Sequence, residues 1–332
     1  MTITIKDVAR KANVSISTVS KVINNNPSIS QKTTDKVFGV VEELGYRPNI
    51  RARNFVQKRT NLIIFLARKE LHAAFNNPYM FEIMTGIEES ISKKGYYISF
   101  KSVDSDADAV EFLLNAIAQK YADGIIINGS LATKELNAIL TESSFPYLIV
   151  GKPNFQTKAS WIDTNNYLSG QICGEYLIKR GYHKIAFVGG VSSDNIFKQR
   201  LYGFLQAMRE NYITVPSAYI KNGPSTKESG FMLTNELLEA PNLPEAIICE
   251  NNYIALGVLK SITTHGLKIP EEVIYICFDE FPLARTMDPC PIVVDIDVYD
   301  LGIQAGISLL QRIRNPLLQI QTYSTIPHIL AH

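Results

Sequence analysis

Thr4-Ile5-Lys6-Asp7-Val8-Ala9-Arg10-Lys11-Ala12-Asn13-Val14-Ser15-Ile16-Ser17-Thr18-Val19-Ser20-Lys21-Val22-Ile23-Asn24 is the stretch on which the reading of this chain turns. Val8, Ala9, Ala12 and Val14 give a first helix one apolar face and leave Lys6, Arg10 and Lys11 outside. Ser15 can cap a second helix, Ile16 to Ile23, whose inner stripe is Val19, Val22 and Ile23. The link around Asn13-Val14-Ser15 is only a few residues, and two short helices so joined make a helix-turn-helix candidate. Asn24-Asn25-Asn26-Pro27 ends the second helix. Ser30 caps a third, Gln31 to Leu44, striped by Thr34, Val37, Val40, Val41 and Leu44 and closed by Gly45. The outer face of the second helix carries Ser15, Ser17, Thr18 and Lys21, small and polar enough to approach base edges and phosphates in a major groove. A small three-helix bundle that binds protein has the same periodicity.

Charge distribution separates this end from the rest. Residues 1–60 hold eleven Lys/Arg against four Asp/Glu, so +7; the net charge of the whole is +1, which leaves −6 on the other 272 residues. A basic head on an acidic body is the footprint expected where one end meets phosphate, although a solvated basic surface carries the same count.

Thr4-Ile5-Lys6-Asp7-Val8-Ala9, Asn13-Val14-Ser15, Ser17-Thr18-Val19-Ser20-Lys21-Val22 and Leu44-Gly45-Tyr46-Arg47-Pro48-Asn49 together closely resemble the DNA-binding head of the LacI/GalR family, and the likeness runs on through most of the chain. The resemblance implies operator contacts from Thr4, Ser15, Ile16, Ser17, Thr18, Ser20, Lys21 and Asn24. Ile16 and Ser17 stand at the family's first base-reading pair. Lys21 stands where many members carry an arginine, and Lys lacks the planar fork of Arg.

Pro48 cannot extend the third helix. Asn49 to Val56 can form about two helical turns, too short to hold in water without a partner. The resemblance implies that Asn49, Arg51, Ala52, Arg53 and Phe55 form a hinge helix that pairs with its twin in the minor groove. Phe55 takes the place of the family's usual leucine wedge. A flexible Arg-rich linker with Phe55 packed on the body is the plain alternative.

From residue 61 short apolar runs alternate with helical patterns: Leu62–Leu66, Tyr79–Lys94, Tyr97–Phe100, Ala109–Tyr121, Gly124–Asn128, and so on to Tyr299–Arg314. This is the β–α alternation of doubly wound parallel sheets, too long for one sheet and suited to two similar halves. With that alternation, the family resemblance implies a small all-α helix-turn-helix head (1–46), a hinge (47–60) and a two-lobed α/β periplasmic-binding-protein-like body of doubly wound parallel sheets (61–332). The family likeness supplies three crossovers, with the N-lobe at about 61–160 and 287–319 and the C-lobe at about 161–286 and 320–332.

Ligands of open α/β sheets bind beyond the carboxyl ends of the strands. Cys249-Glu250-Asn251-Asn252 and Phe278-Asp279-Glu280 end two strands, and Gln199-Arg200 begins a helix after Gly189-Gly190. Carboxylate, amide and guanidinium in one cleft can bracket sugar hydroxyls. The resemblance puts Arg200, Asn251 and Asp279 on effector-binding positions and leaves Asn252 where an aspartate is usual. Tyr79 and Trp161 are candidate stacking platforms, although most aromatics are core. Asp163 can touch ligand or cap the helix after it. Ile149-Val150-Gly151-Lys152-Pro153 with the Arg200 segment looks most like the maltose-operon repressor branch. Ile307 replaces the arginine with which the catabolite control branch docks a phosphorylated carrier protein.

The four cysteines are scattered without metal-ligand spacing, so no metal or cofactor is expected and the thiols read as free in a reducing compartment. No signal peptide or membrane span is legible, which points to the cytoplasm. No phosphate loop or nucleophile–base motif points to an enzyme. The expectation is a homodimeric repressor of a carbohydrate operon, bound to a palindromic operator and released by a small sugar. A sugar-binding transport-type protein, or a repressor with a purine or other non-sugar corepressor, is the alternative.

Overall fold

The computed structural model describes residues 3–24, 26–47, 59–69, 78–280, 283–319 and 322–330. It divides into two compact units, Met1–Asn61 and Leu62–His332.

In the first unit α1 (Ile5–Ala12), α2 (Ile16–Ile23) and α3 (Gln31–Leu44) enclose a core of Val8, Ala9, Ala12, Val19, Val22 and Val37. Local chemistry fixes each boundary. Thr4 and Asp7 form a capping box on α1, and Asn13 ends it in the left-handed region. The Ser15 hydroxyl accepts the Thr18 amide at 3.1 Å, Ser30 accepts that of Thr33, and Gly45 (φ 60°) closes α3.

The second unit holds two six-stranded sheets. The first has the order β11-β5-β4-β3-β1-β2: Thr322–Thr325, Trp161–Thr164, Tyr147–Val150, Gly124–Asn128, Leu62–Arg68 and Tyr97–Val103. The second runs β12-β10-β9-β8-β6-β7: His328–Leu330, Ile292–Asp295, Ile274–Phe278, Ala246–Cys249, Ile185–Gly189 and Ile220–Asn222. Among the described residues only the β10–β12 pair is antiparallel. The central strands are buried on both faces, as parallel strands under helices must be. Helices α4 (Pro78–Ser92), α5 (Asp106–Ala118), α6 (Lys134–Ser143) and α11 (Val298–Arg314) cover the first sheet. Helices α7 (Asn166–Lys179), α8 (Asn195–Glu210), α9 (Lys227–Leu238) and α10 (Asn252–Thr264) cover the second.

The lobes divide differently from the expected boundaries at 160, 286 and 319. Trp161–Thr164 pairs with β4 and β11 and so belongs to the N-lobe, Ile292–Asp295 lies in the C-lobe sheet, and Thr322–Thr325 returns to the N-lobe. The chain therefore crosses at 165, 296–297 and 326–327. These crossings are tied together. The Thr325 hydroxyl donates to the Ile296 carbonyl at 2.7 Å and lies 3.4 Å from the Thr164 hydroxyl, while the Asn165 amide donates to the Thr325 carbonyl. No helix among the described residues is long and apolar enough to cross a membrane.

Candidate functional site

The DNA-facing residues expected from the sequence fall on one short stretch of the head. Ser15, Ile16, Ser17, Lys21 and Asn24 are exposed and Thr18 and Ser20 half-buried, all on α2 or its caps; Thr4 is exposed at the start of α1. The Ser15 hydroxyl also lies 2.7 Å from that of Ser17 and 2.8 Å from that of Thr18, so one oxygen organises the first turn. The Asn24 amide donates back to the Ser20 carbonyl. Asp7 has its carboxyl pulled below the usual range, first by the Thr4 hydroxyl that donates to it. The hinge positions Asn49, Arg51, Ala52, Arg53 and Phe55 lie outside the described residues.

In the body the deepest polar cluster centres on Arg200, a guanidinium only 5% exposed. It sits on the first turns of α8, and its partners come from the first residue of α7 and from two strand ends. Its Nε donates to Asn166 Oδ1 at 3.0 Å, a terminal nitrogen donates to the Glu250 carbonyl, and the guanidinium carbon lies 4.0 Å above the Phe278 ring. Asp163, Glu250, Asp279 and Tyr79 share its electrostatic field. Burying a charge is costly unless it is bonded, and here the cost falls on the acids. Burial pushes Glu250 up to about 7 against the pull of Arg200. It pushes Asp279 to about 7 as well, with Glu82 and Asp295 adding repulsion. Asp163 is raised for the same first reason, and so is the Tyr79 hydroxyl. Asp279 also holds a left-handed backbone (φ 72°), an unusual conformation for a non-glycine residue and one that concentrates at functional positions.

Asp163 does not cap the helix after it. Asn165 does, accepting the Leu168 amide, while the Asp163 carboxylate accepts the Lys152 and Thr164 amides at 2.9 and 2.8 Å. Asn251 does cap: its Oδ1 accepts the Ile254 amide, which leaves its NH2 group for other partners. Asn252 spends its amide on the Phe278 and Asp279 carbonyls, holding two strand ends together. Thus Tyr79, Asp163, Arg200 and Asp279 come together, with Asn251 on the adjoining strand end. Trp161 stands apart. It lines an open cleft of about 580 Å³ with Lys152, Phe155, Gln156, Asn195 and Gln199, and the Lys152 ammonium lies 5.6 Å from its ring. The cleft and the cluster adjoin through Lys152 beside Asp163 and Gln199 beside Arg200.

Sequence reasoning passed over Asn166 and Glu82, and it named Glu250 at a strand end without placing it among the effector contacts. Glu250 carried a signal, standing beside Asn251 at a strand end. Asn166 carried none, since a polar residue in a first helical turn is ordinary.

A helix-turn-helix head joined to a two-lobed body with a polar interlobe site defines a ligand-responsive DNA-binding regulator. Residues 4–49 match the family of bacterial regulatory proteins, lacI family, and residues 63–328 match the periplasmic binding proteins and sugar binding domain of LacI family. The HTH-type transcriptional repressor PurR of Klebsiella pneumoniae subsp. pneumoniae is 31% identical over 330 residues, 98% of this chain and 95% of that protein. PurR of Escherichia coli O139:H28 is 32% identical over the same span. Among solved structures, the transcriptional regulator CelR–cellobiose complex is similar with a TM-score of 0.75 and 25% identity, covering 99% of this chain and 98% of that one. The lac repressor dimer bound to operator and the anti-inducer ONPF is similar in fold (TM-score 0.80, 23% identity, 100% and 98% covered). The chain belongs to the LacI family. It is a DNA-binding transcriptional repressor with an effector-binding domain, and not an enzyme.

Proposed function

We propose that this repressor controls a carbohydrate-utilisation operon, and that an uncharged sugar bound at the Arg200 cluster releases it from DNA. The observation that carries this reading is the arrangement of groups there: one buried, hydrogen-bonded guanidinium among Asp163, Glu250 and Asp279, the last two pushed by burial up to about 7. Carboxyl groups poised at neutrality can accept from one hydroxyl and donate to another, which suits a polyol. An anionic ligand such as a sugar phosphate meets Asp163, Glu250 and Asp279 around the one buried guanidinium, with Lys152 the second cation at the edge of the cleft, and is disfavoured. Maltose or a short maltodextrin is the finer choice. It rests on Ile149-Val150-Gly151-Lys152-Pro153 with the Arg200 segment, and the open cleft beside Trp161 has room for a further ring.

Two copies bind a palindromic operator, one head to each half-site, with α2 in the major groove. Sugar changes the angle between the lobes at the three crossings, and the two heads lose their joint grip on the operator. A coupling of about 1–3 kcal/mol is enough for such a switch. A thermal-shift screen of neutral sugars and sugar phosphates, followed by gel shift on each hit, tests the reading. A neutral sugar that stabilises the protein and releases DNA supports it. A ligand that tightens DNA binding identifies a corepressor instead.

A further inference from the structure

Asn166, the first residue of α7, links the two lobes through one buried side chain, only 6% exposed. Its Oδ1 accepts the Arg200 Nε–H at 3.0 Å, while its Nδ2 donates to the Asp163 carboxylate at 3.4 Å and to the Thr164 carbonyl at 3.3 Å. Arg200 belongs to α8, over the second sheet, whereas Asp163 and Thr164 end β5 of the first. The neighbours fix which way the amide faces. Arg200 can only donate and the Thr164 carbonyl can only accept, so the oxygen must face the guanidinium and the nitrogen the strand end. Gly170, one turn further along α7, sets the spacing. Its missing side chain admits the Arg200 backbone, whose carbonyl carbon lies 2.6 Å from where a Cβ would stand. The place calls for an amide. Leucine would leave the buried Nε–H without this acceptor, and aspartate would turn an oxygen on Asp163.

We propose that Asn166 is the positioning residue of the effector site. Its amide fixes the Arg200 guanidinium relative to Asp163 across the first crossing, so that the ligand-reading groups of the two lobes are held at one spacing. This rests on the reading above, in which Arg200 contacts the effector.

Full-length protein labelled with 15N-arginine tests the link without any ligand. The Arg200 Nε–H signal is the one lost in Arg200→Lys, and its exchange with water is compared with that of free arginine at the same pH. Asn166→Leu should lose about tenfold or more of the wild-type protection, the worth of one hydrogen bond to a charged group. Asn166→Asp keeps an acceptor for Arg200 and should keep the protection. Its fault lies at the other end, where two carboxylates face each other beside the Arg200 and Lys152 cations. It should melt below the wild type at pH 8 and recover at pH 5, where one shared proton replaces the amide N–H. Maltose is then titrated as the probe. Asn166→Leu should bind it about tenfold or more weaker at both pH values, and Asn166→Asp weaker at pH 8 but not at pH 5, each against the wild type at the same pH. Full Nε–H protection in Asn166→Leu overturns the proposal, as does an Asn166→Asp protein that melts and binds maltose like the wild type at pH 8. A wild type that ignores maltose sinks that choice of sugar, and the exchange and melting pattern then decides the proposal by itself.

Discussion

Replacing Gly170 by alanine should move Arg200 without touching it. Helices α7 and α8 meet backbone to backbone at Gly170 and Gly203. A Cβ built on Gly170 stands 2.6 Å from the Arg200 carbonyl carbon and 2.9 Å from its Cα, and closer still to its oxygen. Ordinary carbon contacts begin near 3.4 Å, so the helices must part by roughly 1 Å, the kind of backbone shift by which a packed interior admits an added methyl. The bond from Arg200 Nε to Asn166 Oδ1, 3.0 Å long and spanning the same two helices, then stretches past bonding distance. Overpacking costs about 1–3 kcal/mol and the lost charged hydrogen bond about 1.5–3. The melting temperature of the body should fall by roughly 10 °C. Differential scanning calorimetry gives that number, and titration of the screened sugar gives the second half: affinity should fall at least tenfold in the variant. A Gly170→Ala protein that melts with the wild type and keeps its sugar affinity refutes both the close helix contact and the role of Arg200.

The remaining predictions concern the head, the crossings and the buried acids. Gly39 lies mid-helix in α3 with nothing within 4 Å of an added Cβ. Gly39→Ala should therefore stabilise the head by about 0.5–1 kcal/mol in denaturant melts, and destabilisation would contradict the open environment. Thr325→Val removes the hydroxyl that donates to Ile296 and should cost about 1–3 kcal/mol, with faster amide exchange around 165 and 296. Exchange unchanged there would mean the crossings are held by other groups. Glu250 holds its proton to about pH 7 in the folded chain, above its value of about 4.5 when unfolded. Its contribution is thus fully present at low pH and is lost as pH rises from about 4.5 through 7. Glu250→Gln keeps an acceptor for the Gly190 amide, and its melting temperature should gain on the wild type between pH 5 and pH 8. A difference independent of pH would show Glu250 to be ionised throughout.

The head was legible nearly to the residue because its signals are local. Ser15, Ser30 and Gly45 cap the helices they were expected to cap, and Val19, Val22 and Val37 fill the core. In the body, helix and strand positions followed from periodicity, with small errors where a cap decides the start. Helix α5 begins at Asp106 because Ser105 and Asp108 form a capping box that the apolar pattern does not register. Lobe membership was not legible. Trp161–Thr164 and Thr322–Thr325 are four-residue strands recognisable only by what they pair with, and pairing across 160 residues leaves no local trace. Arg200 and Asp279 were expected from their positions at helix start and strand end and from the family likeness, and the structure brings them together in one polar cluster. The role of Asn166 depends on how α7 sits against α8, which one sequence does not reveal, whereas the Asn165 cap is a local contact with the Leu168 amide.

The most direct measurement is operator affinity with and without the sugar that stabilises the protein, made on the wild type and on an Arg200→Lys variant at fixed salt. The account predicts that sugar weakens wild-type binding by about 5- to 150-fold and leaves the variant, which still binds operator, unresponsive. An Arg200→Lys protein that releases operator as the wild type does would contradict it, as would tighter wild-type binding with sugar present.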